Sequence, residues 1–151
     1  MKIALGSDHR GREAALQIEK RLREAGHDIV VMAIPESGEI TDYPDAAATV
    51  GNAVSQHNAD RGVLICGTGL GMSIAANKIP GVRAAAAHDE ITAELSRSHL
   101  DANVCCLSAD LLGLRLIEKI VDRWLALEFE GGRHQRRIEK IAAIESGQGS
   151  A

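Results

Sequence analysis

The stretch Val63-Leu64-Ile65-Cys66-Gly67-Thr68-Gly69-Leu70-Gly71-Met72-Ser73-Ile74-Ala75-Ala76-Asn77-Lys78 decides how this chain folds. Val63-Leu64-Ile65 is a short aliphatic run of the kind buried in a parallel sheet. It leads into Cys66, and three glycines in five residues follow, Gly67, Gly69 and Gly71. Ser73 to Lys78 reads as the start of a helix. Strand, glycine loop and helix together bring bare backbone N–H groups to the positive end of a helix, which is how an α/β protein makes an anion site. Cys66 stands at the lip of that site, where a helix N-terminus favours a thiolate over a thiol. The pattern is that of a base or nucleophile beside an oxyanion cradle.

The same alternation runs outward in both directions. Lys2 to Gly6 reads as a first strand, and Arg12 to Ala25 as an amphipathic helix stopped by Gly26. Asp28 to Met32 is a second strand. After a loop marked by Pro35 and Gly38, a helix opens at Asp42-Tyr43-Pro44-Asp45 and runs to about His57. Beyond the glycine loop, Pro80-Gly81 forces a break. Val82 to Ala87 and Asn103 to Leu107 are the fourth and fifth strands, with a helix over Glu90 to Ser98 and a loop over His99 to Ala102 between them. Gly113 to Phe129 and the basic Arg133 to Glu145 are the closing helices. These elements predict a three-layer α/β doubly wound sandwich with a five-stranded parallel sheet, Rossmann-like in kind. Residues 1–146 form the one expected domain and 147–151 a flexible tail. In such a sheet the ligand crevice lies beyond the carboxyl ends of the strands, at the switch point. Asp8-His9, Cys66-Gly67-Thr68 and His88-Asp89 fall at those ends.

Composition narrows the class. A chain of 151 residues with 45% apolar and 25% charged residues suits one globular domain. A net charge of −4 and a single Trp, Tyr and Phe exclude a basic or base-stacking surface, so no nucleic-acid partner is expected. No apolar run approaches the roughly 20 residues of a membrane helix, and Met1 to Gly6 turns polar too soon for a signal peptide. Three cysteines, two of them adjacent as Cys105-Cys106, argue for a reducing compartment, and the expected location is cytoplasmic.

Several residues have two readings. The glycine loop lacks the lysine of a Walker loop and misses the spacing of a dinucleotide fingerprint. Asp89 nevertheless lies about twenty residues on, where a ribose-binding acid belongs, so a nucleotide-binding module stays open as a rival. Asp8-His9 suits either a ligand contact or a loop cap. Arg133 and Arg137, four apart on one helix face, can grip a phosphate dianion or pair with Glu139 in solvent. Cys105 and Cys106 read as core, and His27, His57 and His88 as surface or capping residues. No Cys/His spacing suggests a metal.

The motifs taken together resemble a known family. Gly6-Ser7-Asp8-His9-x-Gly11, Asp42-Tyr43-Pro44, Ile65 to Lys78 and Glu130-Gly131-Gly132-Arg133-His134-Gln135-x-Arg137 are similar, in the same order, to those of the type B ribose-5-phosphate isomerases. The wider family includes galactose-6-phosphate and allose-6-phosphate isomerases. The resemblance implies that Cys66 moves a proton between C1 and C2 of the open-chain sugar. Thr68 and the amides of Gly67, Gly69, Leu70 and Gly71 would hold the enediolate, and His99 would open the furanose ring. Asp8 would bind sugar hydroxyls or assist ring opening, with Tyr43 nearby, and His9, Arg133 and Arg137 would hold the phosphate. It implies a homodimer whose crevices are completed by the partner's C-terminal residues, with a tetramer also open, and neither metal nor organic cofactor. Two positions depart from the family pattern. Leu100 follows His99 where Asn is usual, and Asp110 stands where the family carries the Arg of Gly-x-Arg. A carboxylate near a dianion is unfavourable without a compensating cation, for which Arg10 and Arg136 are the candidates. Ribose 5-phosphate and ribulose 5-phosphate are the expected pair. Allose 6-phosphate, galactose 6-phosphate, a tetrose phosphate or a free rare sugar are the alternatives.

Overall fold

The three central strands are hydrophobic on both faces because both are covered, as the aliphatic runs predict. In the computed structural model, which describes residues 1–148, five strands form one parallel sheet. They are β1 (Lys2–Ser7), β2 (Asp28–Ala33), β3 (Arg61–Cys66), β4 (Ala84–Ala86) and β5 (Val104–Ser108), in the order β2-β1-β3-β5-β4. Six helices surround it: α1 (Arg12–Glu24), α2 (Tyr43–Ser55), α3 (Leu70–Ala76), α4 (Glu90–Ser98), α5 (Leu114–Ala126) and α6 (Gln135–Glu145). A single 3-10 turn, Gly132–His134, leads into α6.

Alternation along β3 splits the core into two layers. Val63 and Ile65 face Ile18 and Leu22 of α1, Ala93 of α4 and Ile120 and Trp124 of α5. Leu64 and Cys66 face Val50 and Val54 of α2 and Met72 and Ala76 of α3. The steps β1 to β2 and β4 to β5 cross the sheet in one direction, and their helices α1 and α4 lie on the first face. The steps β2 to β3 and β3 to β4 run the other way, with α2 and α3 on the second. That partition is what crossovers of a single hand require.

Local departures have local causes. The fourth strand, expected over Val82 to Ala87, is only three residues long. The side-chain amide of Asn77 takes the place of a further ladder there, accepting from the Ala84 N–H and donating to the Ala84 carbonyl, each at 2.8 Å. α3 begins at Leu70 rather than Ser73, because Gly69 adopts φ 78° and turns the chain directly into the helix. Gly147 and Gln148, expected to begin a flexible tail, close α6 instead. Their N–H groups donate to the carbonyls of Ile144 and Ala143, a Schellman cap with Gly147 at φ 74°. The rest of the expected tail, 149–151, lies outside the described residues.

The switch point falls between β1 and β3, since α1 and α3 leave their carboxyl ends toward opposite faces. The turn out of β1 crosses the end of β3 so closely that a Cβ on Gly11 would lie 1.9 Å from the Ile65 carbonyl oxygen. The Gly11→Ala variant is therefore expected to lose on the order of 3 kcal/mol, because a backbone must move to admit the methyl group. A urea midpoint within about 0.5 kcal/mol of the parent would show that the turn yields without cost.

Candidate active site

The crevice predicted at the switch point is a cleft of ≈ 390 Å³ at the carboxyl ends of β1 and β3, with Cys66 in its wall. The Cys66 thiol is 4% exposed, and its Sγ accepts the Gly69 N–H at 3.1 Å. The glycine loop thus turns one amide, that of Gly69, onto the sulfur. Thr68 lines the cleft and its Oγ1 accepts the Leu70 N–H at 3.4 Å. Tyr43, the first residue of α2, lays its ring on Gly71, where a Cβ would come within 2.6 Å of it. Asp8 is buried, and its Oδ1 accepts the N–H groups of Arg10 and Gly11, both at 2.9 Å. The capping reading of Asp8 therefore holds, and the same residue also lines the cleft. His9 lies one residue on, exposed, with Nδ1 3.1 Å from the Thr41 carbonyl. Leu70 is 53% exposed at the start of α3.

The loop after β5 closes the cleft from the other side. Ala109 and Asp110 donate their N–H groups to the carbonyls of Cys66 and Gly67, and the buried Ser108 hydroxyl donates to Gly67 at 2.6 Å. Asp110 accordingly stands on the cleft, where Arg10 reaches it: Nε and Nη2 lie 2.9 and 2.8 Å from Oδ2. The Asp110 bond and charge raise the Arg10 pKa above its ordinary value. Of the two candidate cations, it is Arg10 that pairs with Asp110.

His99, Arg133 and Arg137 are not in this cleft. His99 ends α4, and five residues later β5 begins at Val104, at the amino end of the sheet. Cys66 pairs in register with Ser108 at the far end of β5, roughly 13 Å away at about 3.3 Å per residue. Within one chain the expected base and the expected ring-opening histidine occupy opposite poles. His99 stacks on His134, centroids 4.0 Å apart, and its Nε2 lies 3.7 Å from Glu130. The loop carrying it is braced by the buried Arg97, which donates to Asp101 at 2.9 Å and to the Ala102 carbonyl at 2.7 Å. Leu100 is 46% exposed in that loop, remote from the cleft.

Residues 3–141 match the model of the family described as Ribose/Galactose Isomerase. This chain belongs to the ribose/galactose isomerase family. As a member it is an isomerase of the intramolecular oxidoreductase class. It is 46% identical to the ribose-5-phosphate isomerase B of Escherichia coli K12, over 95% of this chain and 96% of that protein. It is 37% identical to a D-erythrulose-4-phosphate isomerase of Pectobacterium atrosepticum, over 96% and 95%. A solved ribose-5-phosphate isomerase B of Clostridium thermocellum superposes with a TM-score of 0.95 at 46% identity, covering 97% of this chain and 99% of that one.

The nucleotide-binding rival loses its acid. Asp89 is the N-cap of α4: its Oδ1 accepts the Thr92 N–H at 2.6 Å, which holds the carboxyl below its ordinary range. Cys105 and Cys106 are fully buried, and burial pushes the Cys105 thiol up to about 12 and Cys106 well above its ordinary value. Both are core residues, as expected for this isomerase.

His99, Glu130 and His134 bring Nε2, a carboxylate oxygen and Nε2 within 4.8 Å of one another, a grouping that could take a metal. Its surroundings do not favour a cation. The two rings stack, tilted by only 12°. Arg133 Nε donates to His134 Nε2 at 3.4 Å. Burial, and then the charges of His99, Arg133 and Arg137, lower the His134 pKa from its ordinary 6.5.

That shift has a pH signature. The unfolded chain protonates His134 near 6.5 and the folded chain only lower. Its contribution to stability is therefore complete above that pH and lost as pH falls toward the folded value. His27, also lowered by burial, acts in the same sense. Urea midpoints of the His134→Asn variant are expected to decline less steeply than the parent's between about pH 7.5 and about pH 5.5. Equal slopes would exclude His134 as a source.

Proposed function

We propose that this isomerase interconverts D-ribose 5-phosphate and D-ribulose 5-phosphate through an enediolate. One observation carries the reading: Cys66 is buried in the wall of a cleft, and its sulfur accepts the N–H of Gly69 on the glycine loop that follows it. In the proposed reaction the sulfur takes the C2 proton of the open-chain aldose as the carbonyl electrons move onto O1. The amides of Gly67 to Gly71 and Thr68 hold the developing oxyanion. Return of that proton from the sulfur to C1 and transfer of the O2 proton to O1 then give the ketose. One substrate carbon is reduced and its neighbour oxidised, so electrons balance without an external redox partner and no cofactor is called for. Asp8 and Tyr43 bind sugar hydroxyls.

Ring opening requires an acid–base group, and His99 with Glu130 at its Nε2 has the chemistry for it. In this proposal it serves the cleft of a second copy. A two-fold homodimer would bring the amino pole of one chain to the carboxyl pole of the other, and with it Arg133 and Arg137, which would grip the phosphate together with His9. Among the described residues no helix is long and apolar enough to cross a membrane. A cytoplasmic setting is part of the proposal. A tetrose phosphate is the second reading, supported by the similarity to the D-erythrulose-4-phosphate isomerase.

Three measurements test this. Turnover over four-, five- and six-carbon sugar phosphates should be fastest on ribose 5-phosphate, and Cys66→Ala should abolish exchange of the C2 proton with solvent. Exchange retained in that variant would remove Cys66 as the base. Mixing inactive Cys66→Ala and His99→Asn chains should restore about a quarter of parental activity, since half the dimers are mixed and each mixed two-fold dimer has one intact site. No recovery on subunit exchange would exclude a shared site.

A further inference from the structure

Among the residues lining the cleft, Arg10 is the only cation, and no role follows for it from the reaction described above. Its guanidinium is 57% exposed, and both of its contacts go to a single oxygen of Asp110. That is not the two-oxygen fork that arginine forms with a carboxylate at its best. Nη1 makes no protein hydrogen bond among the described residues, so one edge of the guanidinium is left open to a ligand. Asp110 is itself fixed, with its N–H on the Gly67 carbonyl at 3.1 Å. The pair lies directly on the residue after Cys66: a Cβ on Gly67 would stand 2.8 Å from Asp110 Oδ2 and 3.1 Å from Arg10 Nε. Gly67 is therefore bare because this ion pair covers it.

The charges sharpen the point. The cleft carries Asp8 and Asp110 against Arg10 alone. Asp8 turns Oδ1 to two backbone amides, whereas Arg10 is half-engaged on an exposed partner that a stronger anion can displace. A phosphate dianion offers three oxygens to the open guanidinium edge and forms the charge-assisted pair that arginine favours.

We propose that Arg10 and Asp110 are the specificity-determining pair of this cleft: Arg10 binds the phosphate of the substrate, and Asp110 aims the guanidinium and sets the counter-charge that the phosphate must displace. This rests on the isomerase reading for its substrate class, a sugar monophosphate. The pair selects for phosphate over a neutral hydroxyl terminus. It also holds affinity below what an unopposed arginine would reach.

The test titrates the full-length chain with D-ribose 5-phosphate and with D-ribose by calorimetry, beside steady-state kinetics. Arg10→Ala should weaken ribose 5-phosphate about tenfold or more and raise its KM alike, while D-ribose binding changes by less than about twofold. Arg10→Lys should recover part of the loss, a point charge without the fork. Asp110→Asn should lower the Kd and KM for ribose 5-phosphate about threefold. Arg10→Ala binding ribose 5-phosphate as the parent does, or losing both ligands equally, would overturn the proposal, the latter marking a packing role. So would an Asp110→Asn variant with unchanged or weaker phosphate binding. A parent chain that binds ribose 5-phosphate through Arg10 but turns over no sugar phosphate would sink the isomerase reading and leave the pair standing. One that binds no sugar phosphate at all would overturn both.

Discussion

The Ile65 carbonyl occupies the space that a side chain at position 11 would need. Much of the site follows from that contact. Because residue 11 is glycine, the chain leaving β1 can cross the end of β3 and begin α1 at once, with the Gly11 carbonyl accepting the Ala15 N–H. Asp8 holds the crossing in place through the amides of Arg10 and Gly11. α1 then descends one face of the sheet and α3 the other, and the crevice between their starts is the cleft that holds Cys66. A bulkier turn would push the loop off β3 and move Asp8 and Arg10 away from the thiol together.

The separation of Cys66 from His99 is a consequence of topology. In a parallel sheet the strands end at one pole, and each crossover helix returns the chain to the other. A residue closing β3 and a residue closing α4 therefore cannot meet within a chain, whatever the loop lengths. If both serve one reaction, a second copy must bring its amino pole to the first copy's carboxyl pole. α6 is consistent with such a partner: none of its residues is buried, and Ile141 and Ile144 are 45% and 70% exposed. The amino-pole group gathers His99, His134, Arg133 and Arg137, with Glu130 beside both histidines.

The fold was legible because strands buried on both faces must read as unbroken aliphatic runs, and β1, β3 and β5 do. β4 was overestimated because its pairing ends where Asn77, a side chain rather than a strand, supplies the edge hydrogen bonds. The cleft was legible where its parts are contiguous, from Cys66 to Gly71. What joins distant positions was only partly legible: Arg10 and Asp110 are 100 residues apart, and sequence offered Arg10 and Arg136 as equal candidates. Ser108 and Arg97 left no motif, since a buried hydroxyl on a loop carbonyl and a buried guanidinium on a turn are legible only in three dimensions. Asp89 was misjudged for a different reason. Asp89 and Thr92 have the spacing of a capping box, and a local hydrogen bond outweighs a ligand role that nothing else supported.

The ion pair and the turn also bear on why a thiol would serve as base where carboxylates are at hand. Asp8 has an oxygen committed to two amides, and Asp110 is held by a guanidinium. Each is engaged in contacts that a proton taken from substrate would have to disturb. Cys66 has no cationic partner. Its sulfur meets only the Gly69 N–H, on the loop whose amides would hold the oxyanion. Proton removal and charge stabilisation would then occur within one turn of backbone already in place, with no ion pair to break and no dipole to reorient as the reaction proceeds. The carboxylates shape and charge the cleft, and in the proposed reaction their prior commitments would leave the proton to the thiol.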